Sequence, residues 1–257
     1  MTDSQRVKTA ADLIVTAYET GAAFTTASGE APATLDEAYA VQNAVVQRLW
    51  ISRGETIRGW KTGGPSAEAT PVAAPIPASR ILASPAELIG ENFHFIAVEV
   101  ELAYTLRHDL PPRDAPYGEV EVSAAVASMN VAIEVCDSRM REWRTADALW
   151  KLADMQLNAA LVVGSPESDW QRIISQRQVA ILEIDGRICA EKAGSHPYGN
   201  PVRLLPWLAN HCALRCGGLR GGDVVTTGAW TGMHLVAPGA EVLARFPGIG
   251  EARVRFR

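Results

Sequence analysis

The chain has 257 residues, of which 47% are hydrophobic and 21% are charged, a balance typical of a globular protein with a sizeable core. Its 24 basic and 29 acidic residues give a net charge of −5 at pH 7, which argues against a nucleic-acid-binding protein that neutralises many phosphates. No apolar run approaches the roughly 18 residues that a membrane span needs. The polar N-terminus lacks a secretory signal, and with four cysteines it favours a cytoplasmic protein with reduced thiols.

Two helices are predicted at the N-terminal end of the chain. An amphipathic pattern over 7–18 predicts the first helix, which Gly21 ends. The second helix is predicted over 34–52, where Thr34 and Glu37 have the spacing of a capping box. These helices therefore account for most of the chain before residue 55.

Beyond residue 54 the pattern changes to strands separated by glycine and proline. Glycine predicts a loop at 61–65, and proline predicts irregular backbone at 73–85. Alternating apolar and polar residues predict a long strand over 95–106. Further helices are predicted over 119–129, 145–155 and 201–216, with Thr145 as a candidate cap of the second. Further strands are predicted over 130–137 and 157–164. A hairpin is predicted over 179–191, with its turn at Asp185-Gly186.

This order of elements indicates an α+β protein, with two N-terminal helices before a strand-rich body that contains inserted helices. We place a boundary near residue 55. Residues 1–54 are then an N-terminal helical region packed on the main domain, and 55–257 are the main domain itself.

Three acidic residues of the predicted strands point to a metal site. Glu99 and Glu101 are two residues apart, so both side chains leave the same face of the 95–106 strand. The opposite face carries Val98, Val100 and Leu102 and is predicted to be core. A solvated strand face with two acids is the alternative interpretation, but the small residues Ala97 and Ala103 beside the acids are unusual for such a surface.

The strand at 130–137 repeats this pattern with a single acid, Glu134, between Ala132 and Cys136. A carboxylate in an apolar strand is costly unless it is paired or binds a metal. Three carboxylates with water in the remaining positions suit a hard octahedral cation such as Mg²⁺ or Mn²⁺.

Two other candidate sites have simpler interpretations. Cys212 and Cys216, with His211 beside them, have a spacing that zinc ligands can adopt, but buried structural thiols are the preferred interpretation. Lys61 is either an ordinary surface lysine or, in a glycine-rich loop, a group that reaches the carboxylate of an anionic substrate. The sequence contains no P-loop, no dinucleotide-binding glycine motif and no nucleophile elbow.

Four motifs follow one another along the chain: G-W-K-T-G-G at 59–64, V-E-V-E-L-A-Y-T-L at 98–106, A-I-E-V-C-D-S-R at 132–139 and G-D-V-V-T-T-G-A at 222–229. Together they resemble the fumarylacetoacetate hydrolase superfamily, and within it the 2-keto-4-pentenoate hydratase branch. The resemblance implies a twisted mixed β-sheet body with flanking helices, and a homo-oligomer.

The resemblance also implies roles for individual residues. It implies that Glu99, Glu101 and Glu134 bind the metal and that Lys61 and Asp154 are catalytic. The implied substrate-binding residues are Lys61, Ser79, Thr227, Gly228 and Thr231. The chain departs from the hydratase pattern at Ser79, where this branch tends to carry an aspartate, and at 155–158 after Asp154.

The activity implied is that of a Mg²⁺- or Mn²⁺-dependent hydratase of aromatic meta-cleavage catabolism, which adds water to a 2-hydroxy-dienoate or 2-oxo-enoate such as 2-hydroxypenta-2,4-dienoate. Three alternatives stay open: a metal-dependent decarboxylase, a carbon–carbon hydrolase acting on a related 2-oxo acid, and a non-catalytic family member. The expected partners are a small anionic substrate and further copies of the chain, with neither nucleic acid nor membrane involved.

Overall fold

The structure, a computed structural model, describes residues 2–28 and 31–257. Its α-helices are α1 Asp3–Thr20, α2 Leu35–Leu49, α3 Glu119–Ala124, α4 Ala148–Ala153 and α5 Leu204–Arg215. Its strands are β1 Ile57–Gly63, β2 Val72–Pro77, β3 Ile81–Ala83, β4 Ala86–Leu88, β5 Ile96–Leu106, β6 Val126–Cys136, β7 Asn158–Glu167, β8 Val179–Ile184, β9 Arg187–Ala193, β10 Val224–Thr226, β11 His234–Val236, β12 Glu241–Phe246 and β13 Gly250–Phe256. Within the described ranges, no helix combines the length and the apolar content that crossing a bilayer requires.

The strands form two sheets. The larger sheet has the order β2-β1-β10-β5-β6-β7-β3, and β11 also pairs with β5. The smaller sheet has the order β4-β13-β12-β8-β9. Both sheets are mixed, because β1 with β10, β3 with β7 and β4 with β13 are parallel while the remaining pairs are antiparallel. The predicted α+β class with a mixed-sheet body is therefore confirmed.

The main hydrophobic core lies between the two sheets. One face of β5 contributes the fully buried Val98, Val100 and Leu102, as the alternation in the sequence predicts, and β6 adds Val131, Ile133 and Val135. The smaller sheet covers them with apolar residues of β8, β12 and β13, including Leu182, Phe246 and Phe256. Because alternate side chains of β5 and β6 are committed to this core, the remaining ones must face the other side of the sheet.

The two N-terminal helices form as predicted and pack on that other side. The Thr34 hydroxyl caps α2 by accepting a hydrogen bond from the Glu37 amide (3.1 Å), and Gly21 ends α1 in the left-handed conformation with φ of 67°. Buried residues of both helices share a cluster with Ala74 of β2 and Ala97 of β5. The helices therefore pack directly against the larger sheet.

The prediction of a loop at 61–65 is wrong for its first three residues. Lys61 lies within β1, where it pairs with Thr226 of β10 in parallel and with Ala74 of β2 in antiparallel register. A strand on each side supplies hydrogen bonds to this backbone, which outweighs the weak local preference of glycine for strands. The irregular chain begins only at Gly64.

The prediction of irregular backbone at 73–85 is also largely wrong, because this segment contains β2, a short 3-10 helix over Ala78–Arg80 and β3. Pro75 and Pro77 are compatible with a strand here since β2 lies at the edge of the larger sheet.

Two inserted helices are shorter than predicted, while the hairpin is confirmed. The helix expected over 119–129 ends at Ala124, since β6 already begins at Val126 and pairs with β5. The helix expected over 145–155 is α4, and it is capped by the Asp147 side chain rather than by Thr145. The hairpin turns at Asp185-Gly186, whose φ angles of 51° and 73° suit a type I′ turn.

A buried ion pair fixes the chain between α4 and β7. The Arg139 guanidinium donates to Asp154 Oδ1 (2.5 Å) and to the Asp154 carbonyl (3.0 Å), and the Ser138 hydroxyl donates to Oδ2 (3.1 Å). Arg139 is 3% exposed and Asp154 is fully buried. Three consecutive residues after this pair, Met155 to Leu157, have positive φ angles of 52°, 54° and 64°. The ion pair thus holds the start of a left-handed turn.

We predict that Asp154→Ala lowers the free energy of unfolding by about 3–5 kcal/mol, because it leaves the Arg139 charge buried without its partner. Urea unfolding followed by circular dichroism measures this loss. The matched control is Asp12→Ala, which removes an exposed partner of Lys8 and Arg48 and should cost at most about 1 kcal/mol. Equal losses for the two variants would contradict the structural importance of the buried pair.

Candidate metal centre and active site

Acidic side chains occupy the face of β5 and β6 that points away from the smaller sheet. Glu99 lies directly opposite Glu134 in the strand register, and Glu101 lies opposite Ala132. Glu101 and Glu134 are fully buried, while Glu99 is partly exposed. Apolar clusters flank the acids on both sides and include Ala97 and Cys136 at one end and Ala103 and Ala132 at the other. The carboxylates therefore lie in a largely apolar wall that solvent reaches on the side of Glu99.

One oxygen of the Glu134 carboxylate is held by two donors. Lys61 Nζ lies 2.6 Å from Glu134 Oε1, and the Asn158 amide donates to the same oxygen at 2.9 Å. The other oxygen, Oε2, is buried and has no hydrogen-bond partner among residues 2–28 and 31–257. The side chain is thus fixed through one oxygen and leaves the second available.

Glu101 has the same arrangement. Its Oε2 accepts hydrogen bonds from the Thr226 hydroxyl and from the Gly228 amide, the latter at 2.8 Å. Its Oε1 is buried, and the described part of the chain supplies no partner for it. A buried carboxylate oxygen without a donor is costly, so a bound cation would relieve both Glu101 and Glu134.

The pKa values of these groups reflect burial and crowding of negative charge. Burial raises the pKa of Glu99 to about 7; the nearby Lys61 opposes this rise and Glu134 adds to it. Burial and the charges of Glu134 and Glu99 raise the pKa of Glu101 well above its ordinary value. Burial would lower the pKa of the Lys61 ammonium, but the Glu134 carboxylate and its acidic neighbours raise it instead. Lys61 therefore remains a cation, and the carboxylates resist ionising together.

The donor set fits a divalent cation. Glu99, Glu134 and Cys136 each place a ligand atom within 4.8 Å of the other two, and they form the one such group of three within the described residues. Glu101 lies outside this group of three, although it projects from the same strand face and has a free Oε1. Carboxylates of raised pKa with free oxygens, for which Lys61 is the one neighbouring cation among the described residues, are a suitable environment for a metal ion.

Lys61 is also held by the left-handed turn. Its Nζ donates to the backbone carbonyl of Gln156 at 3.0 Å, in addition to its contact with Glu134. Residues other than glycine adopt this conformation at a cost of about 1–2 kcal/mol each, so the turn is a strained segment beside the acidic cluster. Such strain is typical of functional sites, where it fixes the position of a group.

The structure joins some of the predicted site residues by direct contacts. Lys61 contacts Glu134, and Gly228 contacts Glu101, so the predicted residues form two bonded pairs on the same strand face. Thr227 lies next to this cluster, but its hydroxyl donates to the Leu102 carbonyl at 2.9 Å.

The remaining predicted residues lie outside these contacts. Ser79 is on the exposed 3-10 helix after β2, and its amide donates to Glu55 Oε1 at 2.8 Å. The Thr231 carbonyl accepts from Lys192 Nζ at 2.9 Å, and Asp154 is engaged by Arg139 and Ser138. Among the described residues, no hydrogen bond or ion pair connects Ser79, Thr231 or Asp154 with the three glutamates. Their functional roles stay predictions.

Four groups at the site were not predicted from the sequence: the Thr226 hydroxyl, the Asn158 amide, the Gln156 carbonyl and the Cys136 thiol. Cys136 carries a usable signal, because it lies two residues after Glu134 and therefore shares its strand face. The other three come from elements far along the chain, and their signal appears only once strand pairing is known.

Known proteins resemble this chain in sequence and in fold. The fumarylacetoacetate (FAA) hydrolase C-terminal family matches residues 73–257. The 2-keto-4-pentenoate hydratase of Burkholderia vietnamiensis is 33% identical over 161 residues, which are 62% of this chain and 60% of that protein. The TodF product hydratase of Pseudomonas putida is 29% identical over 97% of this chain and 95% of its own length.

One solved structure superposes over the whole chain. The 4-oxalocrotonate decarboxylase from Pseudomonas putida G7, complexed with magnesium and adipate, has a TM-score of 0.86 and 23% identity, covering 100% of this chain and 99% of that one. This similarity demonstrates a shared fold. Since the family match covers most of the chain, the protein belongs to the fumarylacetoacetate hydrolase family.

Proposed function

We propose that this chain is a divalent-metal-dependent hydratase that adds water to a small 2-hydroxy-dienoate or 2-oxo-enoate, such as 2-hydroxypenta-2,4-dienoate. The observation that carries the proposal is the pair of buried oxygens, Glu101 Oε1 and Glu134 Oε2, that lack donors in the described ranges beside a fixed ammonium group. Two similar proteins named as hydratases, one of them aligned over nearly its whole length, support this choice of reaction.

Glu99, Glu101 and Glu134 would hold the cation, which we propose to be Mg²⁺ or Mn²⁺ because carboxylate oxygens suit hard ions. The similar decarboxylase structure was obtained with magnesium. A bound divalent ion supplies Lewis-acid polarisation of a 2-oxo acid. Thr226 and Gly228 keep Glu101 in one orientation, so the protein contributes a preformed carboxylate rather than a mobile one.

Lys61 would bind an anionic oxygen of the substrate. Its side chain is 12% exposed, and its ammonium is fixed between Glu134 and the Gln156 carbonyl, which leaves donor capacity on the nitrogen. In a poorly solvated site, a fixed positive charge strongly stabilises the negative charge that develops on the substrate oxygen. Gly64, Gln156, Leu152 and Leu157 line a neighbouring cavity of about 360 Å³, large enough for a small organic acid.

The remaining site residues are proposals with different support. Thr227, Gly228 and Thr231 belong to the segment that follows β10 beside Glu101, which favours contact with substrate. Ser79 has the weakest support because its turn is exposed. Asp154 is held by Arg139 at the start of the turn that contains Gln156. We therefore propose that Asp154 positions Lys61 indirectly, because the Gln156 carbonyl accepts a hydrogen bond from Lys61.

A second candidate reaction is decarboxylation of a related 2-oxo acid. Hydration needs a proton donor at a carbon atom of the substrate. Asp154, the acid that the resemblance implies is catalytic, is already engaged by Arg139, and this favours decarboxylation.

We also propose that the chain is a homo-oligomer, as the family resemblance implies, and that it is cytoplasmic, as its four cysteines favour. The edge strand β9 supports an assembly, since Ile188 on it is 59% exposed and offers an apolar, pairable edge.

Incubation of the purified protein with 2-hydroxypenta-2,4-dienoate and Mg²⁺ should deplete the dienol absorbance and yield a product heavier by one water, measured by mass spectrometry. Activity should disappear in EDTA and return with Mg²⁺ or Mn²⁺, because the free carboxylate oxygens then lose and regain their cation. Full activity after exhaustive dialysis against EDTA would refute the proposal. Release of CO₂ from a 2-oxo dicarboxylic acid, without hydration of the dienol, would instead establish the decarboxylase.

Lys61→Met should lower kcat/KM about 100- to 1,000-fold, because it removes the fixed charge while preserving the aliphatic stem. The matched control is Lys8→Met, since Lys8 is an exposed lysine of α1 that pairs with Asp12 and does not line this cavity. Circular dichroism verifies that both variants are folded. If both variants kept wild-type kcat/KM, Lys61 would have no part in the reaction.

Glu101→Gln should weaken Mg²⁺ binding about tenfold or more in isothermal titration calorimetry, because the site loses one negative ligand. The control Glu119→Gln changes an exposed acid on α3 and should leave the affinity unchanged. Unaltered Mg²⁺ affinity combined with slower turnover would show that Glu101 is not a ligand.

A further inference from the structure

The buried thiol of Cys136 is aimed at the acidic cluster. Its Sγ lies within 4.8 Å of a carboxylate oxygen of Glu99 and of Glu134, and the residue is fully buried. Cys136 pairs with Ala97 on β5 and Asn158 on β7, so a strand on each side fixes its backbone.

Packing alone does not account for this orientation. Cys136 does belong to the apolar cluster beneath the N-terminal helices, where a small hydrophobic residue would suffice. Its sulfur nevertheless lies near two carboxylates, and Glu134 has an oxygen, Oε2, that is buried without a partner in the described part of the chain. A thiol and two carboxylates within this distance, one of them with a donor-free oxygen, have the composition of a cation site.

The separation suits one small ion. Ligand atoms around Zn²⁺ lie about 2.0–2.3 Å from the metal, so tetrahedral neighbours are about 3.3–3.8 Å apart. The ligand atoms of Glu99, Glu134 and Cys136 already lie within 4.8 Å of one another, so small movements would bring them to this spacing. Thiolate ligands favour zinc and other thiophilic ions, whereas magnesium prefers oxygen.

We propose that Cys136, together with Glu99 and Glu134, forms a ligand set for a thiophilic divalent ion such as Zn²⁺. This set overlaps the oxygen set of Glu99, Glu101 and Glu134 that would hold Mg²⁺ or Mn²⁺. The inference rests on the proposed metal centre, since the two sets share Glu99 and Glu134. Zinc would displace the thiol proton, bind through sulfur and exclude the harder ion from the shared carboxylates.

Cobalt(II) reports sulfur ligation directly, because a thiolate bound to Co²⁺ produces an intense charge-transfer absorption in the near ultraviolet. Titration of the metal-free, full-length protein with Co²⁺ should produce this band in the wild type and in Cys189→Ser, whose exposed thiol lies outside the cluster. The band should be absent in Cys136→Ser. Equilibrium dialysis should show that Cys136→Ser still binds Co²⁺ through its carboxylates.

Affinity measurements supply a second comparison. Cys136→Ala should weaken Zn²⁺ binding about tenfold or more, since one protein ligand is lost, and should leave Mg²⁺ affinity within about twofold of wild type. If Cys136→Ala weakened the binding of Zn²⁺ and of Mg²⁺ by the same factor, the proposal of two ligand sets would be overturned.

The outcomes separate this inference from the proposed function. Cobalt that binds the wild type without a charge-transfer band, or a band that persists in Cys136→Ser, overturns the role of Cys136 and leaves the oxygen-ligated centre intact. Failure of the wild type to bind Co²⁺, Zn²⁺ or Mg²⁺ overturns the inference and the metal centre together. If the Cys136 variants fail to fold, ¹¹³Cd NMR of the wild type decides, since one thiolate ligand moves the resonance strongly downfield of an all-oxygen site.

Discussion

The concentration of negative charge on one buried sheet face is the constraint on which the rest of the site depends. Two like charges 4 Å apart repel by about 4 kcal/mol at the effective dielectric constant near a protein surface, and burial adds the cost of desolvation. Among the described residues, Lys61 supplies the one ammonium that contacts Glu134 and feels the charges of Glu99 and Glu101. The arrangement is therefore incomplete without either retained protons or a further cation.

Much of the surrounding structure serves to orient these acids. The Thr226 hydroxyl, the Gly228 amide and the Asn158 amide each donate to an oxygen that would otherwise compete for the cation. These donors come from β10, the segment after it and the start of β7, which flank β5 and β6 in the sheet. The order of strands thus determines which oxygen of each carboxylate is occupied and which is free.

The sequence predicts the acidic face well, because side chains in a strand alternate with a period of two whatever the strand pairs with. The positions of Glu99, Glu101 and Glu134 on one face follow from that rule. The partners of these residues do not, since Asn158 and Thr226 approach only through pairing between strands distant in the chain. The ion pair of Arg139 with Asp154 also escapes prediction, because it joins the chain after β6 to the end of α4 and depends on how these irregular segments pack.

The errors in secondary structure share a physical origin. Glycine and proline near β1 and β2 indicate loops when only local preferences are considered, but hydrogen bonds from neighbouring strands stabilise extended chain there. Helix α3 is short because the residues after it form strand β6, and helix α4 is short because the residues after it form the left-handed turn. The division of the chain at residue 55 remains a prediction. The N-terminal helices pack against Ala74 and Ala97 of the sheet, and this contact does not define a domain boundary.

The left-handed turn at Met155 to Leu157 has a consequence for how this site tolerates sequence change. Lys61 is anchored there by a main-chain oxygen, so the anchor survives replacement of the Gln156 side chain as long as the backbone keeps its conformation. Replacement by glycine would preserve that oxygen and relieve strain, whereas a β-branched residue would oppose the required φ angle. Selection at this position therefore acts on backbone shape, and divergent sequences can place the same lysine.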